Sequence, residues 1–222
     1  MGFSSEWETV YKENKQLSVW PWSHLVSLAH RYGNLHEGMR VLEIGCGAGA
    51  NIPFFISVGA DYYGVEGSGT MAKRLNEKFG GGGTSVRIAE GDFTKTFVWD
   101  GKFDLIVDRS AITHNATDDI CGVLSMIKAS LTDEGCFISM DWFSVRNKAY
   151  TQTDAEDIDE YSRKNFASGY FKGLGTVHFA DKNHLLDIFC DFKIEYMAEK
   201  VNHNYFPEEE ISAGWDVVAR LK

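Results

Sequence analysis

The residues able to do chemistry in this chain are glycines and carboxylates at the ends of short apolar runs. Glu43-Ile44-Gly45-Cys46-Gly47-Ala48-Gly49 closes the first such run. Glycines after a strand let the backbone turn tightly and let a ligand approach main-chain atoms. The N–H groups that start the following helix can accept an anionic group. Taken alone the run is ambiguous, because Gly45, Gly47 and Ala50 also fit the spacing of a dinucleotide-binding loop. Glu66, followed by Gly67 and Ser68, ends a second run, where an acidic side chain can accept hydrogen bonds from both hydroxyls of a ribose. Asp92-Phe93 follows a third, pairing a carboxylate for an exocyclic amine with a ring for the face of a base. Asp108 ends a fourth, with Arg109 beside it.

The elements that must position these residues alternate. Residues 41–44, 62–66, 85–89, 103–108 and 136–141 read as strands, and 50–58, 70–79 and 118–131 as helices between them. Pro53 falls in the first turn of its helix, where a missing N–H costs little. The glycines at 80–83 stop the second of these helices, and Asp133-Glu134-Gly135 closes the third. Strands alternating with helices imply a parallel sheet with right-handed crossovers. Residues 5–32 read as helical, with Pro21 near the start of a second helix. Residues 143–175, rich in Asp, Tyr, Asn and Ser, break the rhythm and read as a partly helical insertion above the sheet. A last helix is expected over 181–189, then strands over 192–198 and 215–221, antiparallel to each other. The fold class expected is therefore α/β: a Rossmann-like, doubly wound, mostly parallel seven-stranded sheet with one antiparallel strand and helices on both faces. The expected divisions of this single domain are an N-terminal helical lid (1–37), a cofactor-binding core (38–142), a substrate insertion (143–176), and a C-terminal helix with a strand pair (177–222).

In such a sheet Glu43, Glu66, Asp92 and Asp108 line the carboxyl ends of successive strands, where open α/β sheets bind ligands. Carboxylates in a row suit a ligand with many donors and a net positive charge, and repel a pyrophosphate. S-adenosylmethionine, with its ribose diol, adenine amine, ammonium and sulfonium, is such a ligand. Here the chain resembles the class I S-adenosylmethionine-dependent methyltransferases. The resemblance rests on residues 41–49, Gly64-Val65-Glu66-Gly67-Ser68, Glu90-Gly91-Asp92-Phe93 and residues 103–108, and spans residues 38–222. It implies that Glu43 and the backbone of Gly45, Cys46, Gly47 and Gly49 hold the methionine end of the cofactor. Glu66 with Gly67 and Ser68 would hold the ribose, Asp92 with Phe93 the adenine, and Asp108 would flank the sulfonium and ammonium; Arg109, also counted at the cofactor site, can bind an acidic group or pair with a neighbouring carboxylate.

Methyl transfer requires chiefly that a nucleophile be positioned and water excluded. His114, just beyond the fourth strand, is the candidate base, since imidazole ordinarily titrates near pH 6.5. Tyr11, Trp20 and Trp22 in the N-terminal segment, Trp142 after the fifth strand and His178 before the last helix are candidate acceptor contacts. No amide-binding N-P-P-Y segment follows the fourth strand, which favours oxygen over nitrogen as the methylated atom. Residues 20–22 and 110–115 are similar to segments of bacterial enzymes associated with surface-sugar biosynthesis, which implies a sugar or related metabolite as acceptor. A net charge of −10 over 222 residues argues against broad contact with nucleic acid. No apolar run reaches the roughly 18–20 residues of a membrane span. Four scattered cysteines form no metal or redox motif, and a cytoplasmic setting is expected. Two other readings fit the glycine loop: a nicotinamide-dependent oxidoreductase, for which no Tyr-x-x-x-Lys pair is evident, and a cofactor-binding module without catalysis.

Overall fold

The computed structural model describes residues 5–81, 83, 85–151, 154–207 and 209–222. Residues 1–4, one glycine of the run at 80–83, and residues 152 and 153 of the insertion therefore lie outside the described residues. In chain order the elements are α1 (Ser5–Lys12), α2 (Ser23–Tyr32), β1 (Arg40–Ile44), α3 (Ile52–Val58), β2 (Asp61–Glu66), α4 (Gly69–Phe79), β3 (Val86–Glu90) and β4 (Phe103–Arg109). Then follow α5 (Thr117–Ser130), β5 (Leu131–Phe143), β6 (Glu156–Asp157), β7 (Ser162–Lys164), β8 (Val177–His178), α6 (Lys182–Ile188), β9 (Phe192–Asn204) and β10 (Glu210–Leu221).

The seven long strands lie in the order β3-β2-β1-β4-β5-β10-β9. The pairs β1–β2, β2–β3, β1–β4 and β4–β5 are parallel, and β10 runs antiparallel to both its neighbours. This is the mostly parallel sheet with one antiparallel strand that the alternation required. Side chains alternate across a strand, so each strand feeds two cores. Val41, Leu105, Val107 and Ile138 pack with Leu25 and Leu28 of α2, Phe55 of α3 and Leu75 of α4. Leu42, Ile44, Ile106 and Phe137 face the other way, against Ile120 and Val123 of α5 and Leu185 of α6. Burial on both faces explains why the central strands read as continuous apolar runs. The order reverses at β1, between β2 and β4, and opens a crevice at the strands' carboxyl ends.

Two expectations are corrected. The turn Asp133-Glu134-Gly135 lies inside β5, not before it. Leu131, fully buried, already pairs with Phe103, and the next pairing joins Leu105 to Cys136, so the exposed acidic residues loop out between the two. The insertion holds one 3-10 turn, Lys148–Thr151, and is otherwise built on the three short strands β6, β7 and β8. It folds on its own apolar cluster of Phe166, Phe171, Leu174, Val177 and Phe179, against which Trp7 of α1 and Phe143 of β5 pack.

Candidate active site

The glycine loop turns between β1 and α3 with Gly45, Gly47 and Gly49 all at positive φ (62°, 52° and 76°). A β-carbon on Gly45 would lie 2.3 Å from that of Ala111, so only glycine lets this loop meet the turn after β4. Gly49 serves packing instead, since a β-carbon there would strike Leu75 Cδ2 of α4 at 2.6 Å.

Above the loop lies a cavity of about 230 Å³. Its floor is Glu43, Gly45, Cys46, Gly47 and Glu66, and its far wall Phe93, Arg109, His114 and Phe143. Trp7, Tyr11 and Trp22 close it from the N-terminal segment. Glu43 is buried and accepts hydrogen bonds from Tyr62 Oη (2.7 Å) and Asn51 Nδ2 (2.8 Å). Burial outweighs these bonds and pushes its carboxyl up to about 7. Glu66 accepts from the amides of Gly47 (2.7 Å) and Ser68 (2.9 Å), tying the glycine loop to the start of α4; burial raises its carboxyl too. Arg109 is the one arginine or lysine on the cavity wall among the described residues. It lies 3.5 Å over the ring of Trp22 and pairs with Asp141 at 2.7 Å.

His114 stands in a short 3-10 turn, Ile112–His114, anchored from below by Asp108. Asp108 accepts from the amides of Ala111 and Ile112 (3.0 Å each) and from Ser139 Oγ (2.7 Å). Nδ1 of His114 lies 3.0 Å from the carbonyl oxygen of Thr176, which can only accept, so Nδ1 carries the proton and Nε2 a lone pair. Trp7 meets the imidazole edge-on at 4.9 Å and Phe143 at 5.6 Å. This apolar burial lowers its pKa to about 4, below the ordinary value expected from sequence.

Of the expected site residues, the cavity gathers Glu43, Gly45, Cys46, Gly47, Glu66, Gly67, Phe93, Arg109, His114, Tyr11 and Trp22. The others lie outside its lining. Ser68 caps α4 through the amide of Met71, and Gly49 packs that helix. Asp92 folds onto its own turn, accepting from Thr94 and pairing with Lys95 at 3.0 Å. Asp108 lies beneath the wall, holding the turn that carries His114. Trp20 is 79% exposed. Trp142 and His178 are buried behind the cavity, where the indole Nε1 donates to His178 Nδ1 (3.0 Å) and His178 Nε2 lies 2.9 Å from His184 Nε2.

The family model described as a methyltransferase domain matches residues 41–135, from β1 through the glycine loop to the bulge of β5. Over that stretch, and in the order of its strands, the chain is similar to the class I S-adenosylmethionine-dependent methyltransferases. A curated protein similar to this chain is the sterol 24-C-methyltransferase erg6 of Aspergillus fumigatus, 28% identical over 173 residues. That match takes in 77% of this chain and spans 43% of the relative's length. In fold, the chain is similar to an S-adenosylmethionine-dependent methyltransferase from Methanosarcina mazei (TM-score 0.68, 16% identity, 91% of this chain and 100% of that one). It is also similar to the 1,6-didemethyltoxoflavin-N1-methyltransferase of Burkholderia thailandensis, solved with 1,6-didemethyltoxoflavin and S-adenosylhomocysteine (0.63, 16%, 98% and 86%).

The cavity fits S-adenosylmethionine. Two buried carboxylates, both held above their usual range by desolvation, share the floor with the loop of glycines, under a space bounded by aromatic rings. Sequence reading missed Asn51 and Asp141. Asn51, the N-cap of α3, makes no capping bond; it donates to Glu43 and accepts from the amide of Trp22 (3.2 Å), joining the floor to the roof. Asp141 near the end of β5 carried the same signal as the other strand-end acids. No sequence signal marks Gln16 or Ser18, which the chain brings to the cavity between α1 and α2.

Proposed function

We propose that this chain transfers the methyl group of S-adenosylmethionine to a hydroxyl of a small molecule, a sugar or related metabolite, with His114 as the proton acceptor. The observation that carries this reading is the imidazole of His114, held neutral with Nε2 free as an acceptor on the wall of the cavity. When bound, the cofactor supplies an electrophilic methyl carbon on a positively charged sulfur. Glu43 and Glu66 favour that charge and the ribose hydroxyls, the Phe93 ring borders the base, and Arg109 complements the amino-acid carboxylate. An acceptor hydroxyl brought beside that methyl group would give up its proton to His114 Nε2. A base of pKa about 4 suffices, because an oxygen that has gained a methyl holds its proton far more weakly than a free hydroxyl does. Residues 1–37 act as the lid and 143–176 as the acceptor's wall. Four cysteines without a disulfide fit a reducing, cytoplasmic setting.

Methyl-labelled cofactor incubated with a metabolite extract, followed by mass identification of the product, tests the reading. A labelled O-methyl ether formed by the parent protein and lost with His114→Ala is the expected result. A labelled N- or C-methyl product, or a His114→Ala variant as active as the parent, overturns the acceptor and base assignments. Calorimetric binding of a nicotinamide nucleotide and none of S-adenosylmethionine overturns the whole proposal.

A further inference from the structure

A second, larger cavity of about 700 Å³ adjoins the first and shares Asp141, Phe143 and Tyr170 with it. We propose that this groove holds the part of the acceptor that is not methylated, and that it takes an uncharged, polyhydroxylated ring. The inference rests on the methyl-transfer reading and names the acceptor class for the same site.

The groove has two unlike walls. One is aromatic: Phe143, Tyr170 and Phe171, with Phe143 and Phe171 edge to face at 4.8 Å and Tyr170 66% exposed. The other is the far end of the β9–β10 hairpin, from the point where β10 leaves β5 outward. There Lys200 pairs with Gly214, Asn202 with Ser212 and Asn204 with Glu210. Side chains alternate along a strand, so these residues share one face, and that face lines the groove. The intervening Val201 and Ile211 lie on the opposite face, each 40% exposed. That opposite face also carries the exposed His203 and the buried Ala213, whereas every side chain that this end of the hairpin turns to the groove, from Lys200, Asn202, Asn204, Glu210 and Ser212, is polar. Among the described residues, the side chains of Lys148, Asn202, Asn204, Glu210 and Ser212 make no hydrogen bond within the chain.

The chemistry of these walls selects the ligand. Aromatic faces suit the C–H face of a ring, while amides, a hydroxyl and a carboxylate suit its hydroxyls. Lys148 and Lys200 are opposed by Asp141, Glu209 and Glu210, so the groove has no excess positive charge to hold a phosphate or carboxylate. At the junction Asp141 sits at φ 54°, an unfavourable backbone conformation for a residue other than glycine, with its carboxylate held between Arg109 (2.7 Å) and Lys200 (2.8 Å). Phe143, the next wall residue but one, touches the imidazole of His114. A ring in the groove would thus present a substituent to the first cavity beside His114.

Amide shift mapping of the isotope-labelled protein tests this with simple probes in place of the acceptor. Maltose serves as the uncharged probe, glucose 6-phosphate as the anionic one and benzyl alcohol as the apolar one, each with S-adenosylhomocysteine present and absent. Saturable shifts at Asn202, Asn204, Ser212 and Tyr170 with millimolar maltose are expected. Ser212→Trp should abolish them while binding S-adenosylhomocysteine as the parent does. Asn202→Ala combined with Asn204→Ala, a milder change to exposed positions, should weaken them at least about threefold. Absence of saturable maltose shifts in the parent overturns the proposal, as does a stronger response of the same amides to either other probe. Failure of methyl transfer itself would appear separately, in the labelled-cofactor assay.

Discussion

Burial brings the titration of Glu43 to neutral pH, and this gives the site a measurable signature. Its carboxyl titrates near 7 in the folded chain against about 4.5 unfolded, so its contribution to stability is fully present below pH 4.5 and is lost as pH rises through 7. Glu43→Gln removes that loss. The melting temperature of the ligand-free variant, relative to the parent, should therefore rise between pH 5 and pH 8; a difference that stays flat would show that Glu43 is not the group responsible. A bound cation stabilises the ionised form, so parental affinity for S-adenosylmethionine should increase over the same range. Above pH 7 Glu43→Gln should bind it about tenfold more weakly, the equivalent of one pKa unit. Calorimetry at several pH values measures both. His114 behaves in the opposite sense. Its pKa near 4 leaves it neutral above about pH 5, so the proton-accepting step should show no acid limb between pH 5.5 and 8 in single-turnover rates. These roles were only half legible in sequence. Residue type and place at a strand end marked Glu43, but its pKa depends on Tyr62 and Asn51, brought in from elsewhere, and on burial.

At the scale of elements, Glu8 latches α1 to α4. Glu8 accepts hydrogen bonds from the hydroxyls of Ser68 and Thr70 at the start of α4, and these bonds hold its carboxyl down at about 2. Glu8 also completes the negative charge that a helix N-terminus favours. The neighbours of Glu8 on α1, Trp7 and Tyr11, form the roof of the cavity, and Glu66 ties the same Ser68 to the glycine loop. Glu8→Ala should loosen the roof. Affinity for S-adenosylhomocysteine is expected to fall about three- to tenfold, and trypsin to cut faster at Lys12 and Lys15. Unchanged cleavage and affinity would mean that α1 is held by its aromatic packing alone. Gly49→Ala acts on the other end of the same helix. It places a β-carbon against Leu75 and Ile52 at a positive φ, and should lower stability by about 2 kcal/mol or more in denaturant unfolding. The glycine loop was evident from spacing, whereas the Glu8 latch joins residues 60 positions apart and left no trace in either local pattern.

For the molecule as a whole, a charge of −10 and an acidic cavity floor should draw in a cationic ligand and disfavour an anionic one. Raising ionic strength from about 0.02 to about 0.5 M should therefore weaken binding of S-adenosylmethionine more than that of S-adenosylhomocysteine, which lacks the sulfonium charge. Equal salt dependence of the two dissociation constants would contradict this. No helix among the described residues is long and apolar enough to cross a membrane. The order of strands and helices, the glycine loop and the acids at strand ends are properties of local periodicity and of backbone conformations that few residues tolerate, so the chain's sequence determines them directly. The bulge inside β5, the β-structured insertion, the Asn51 bridge, the depressed pKa of His114 and the groove beside the polar hairpin face were decided only when distant segments packed together. Local sequence specifies how the backbone can turn; which groups are stripped of water, and beside which partners, is a property of three-dimensional contact.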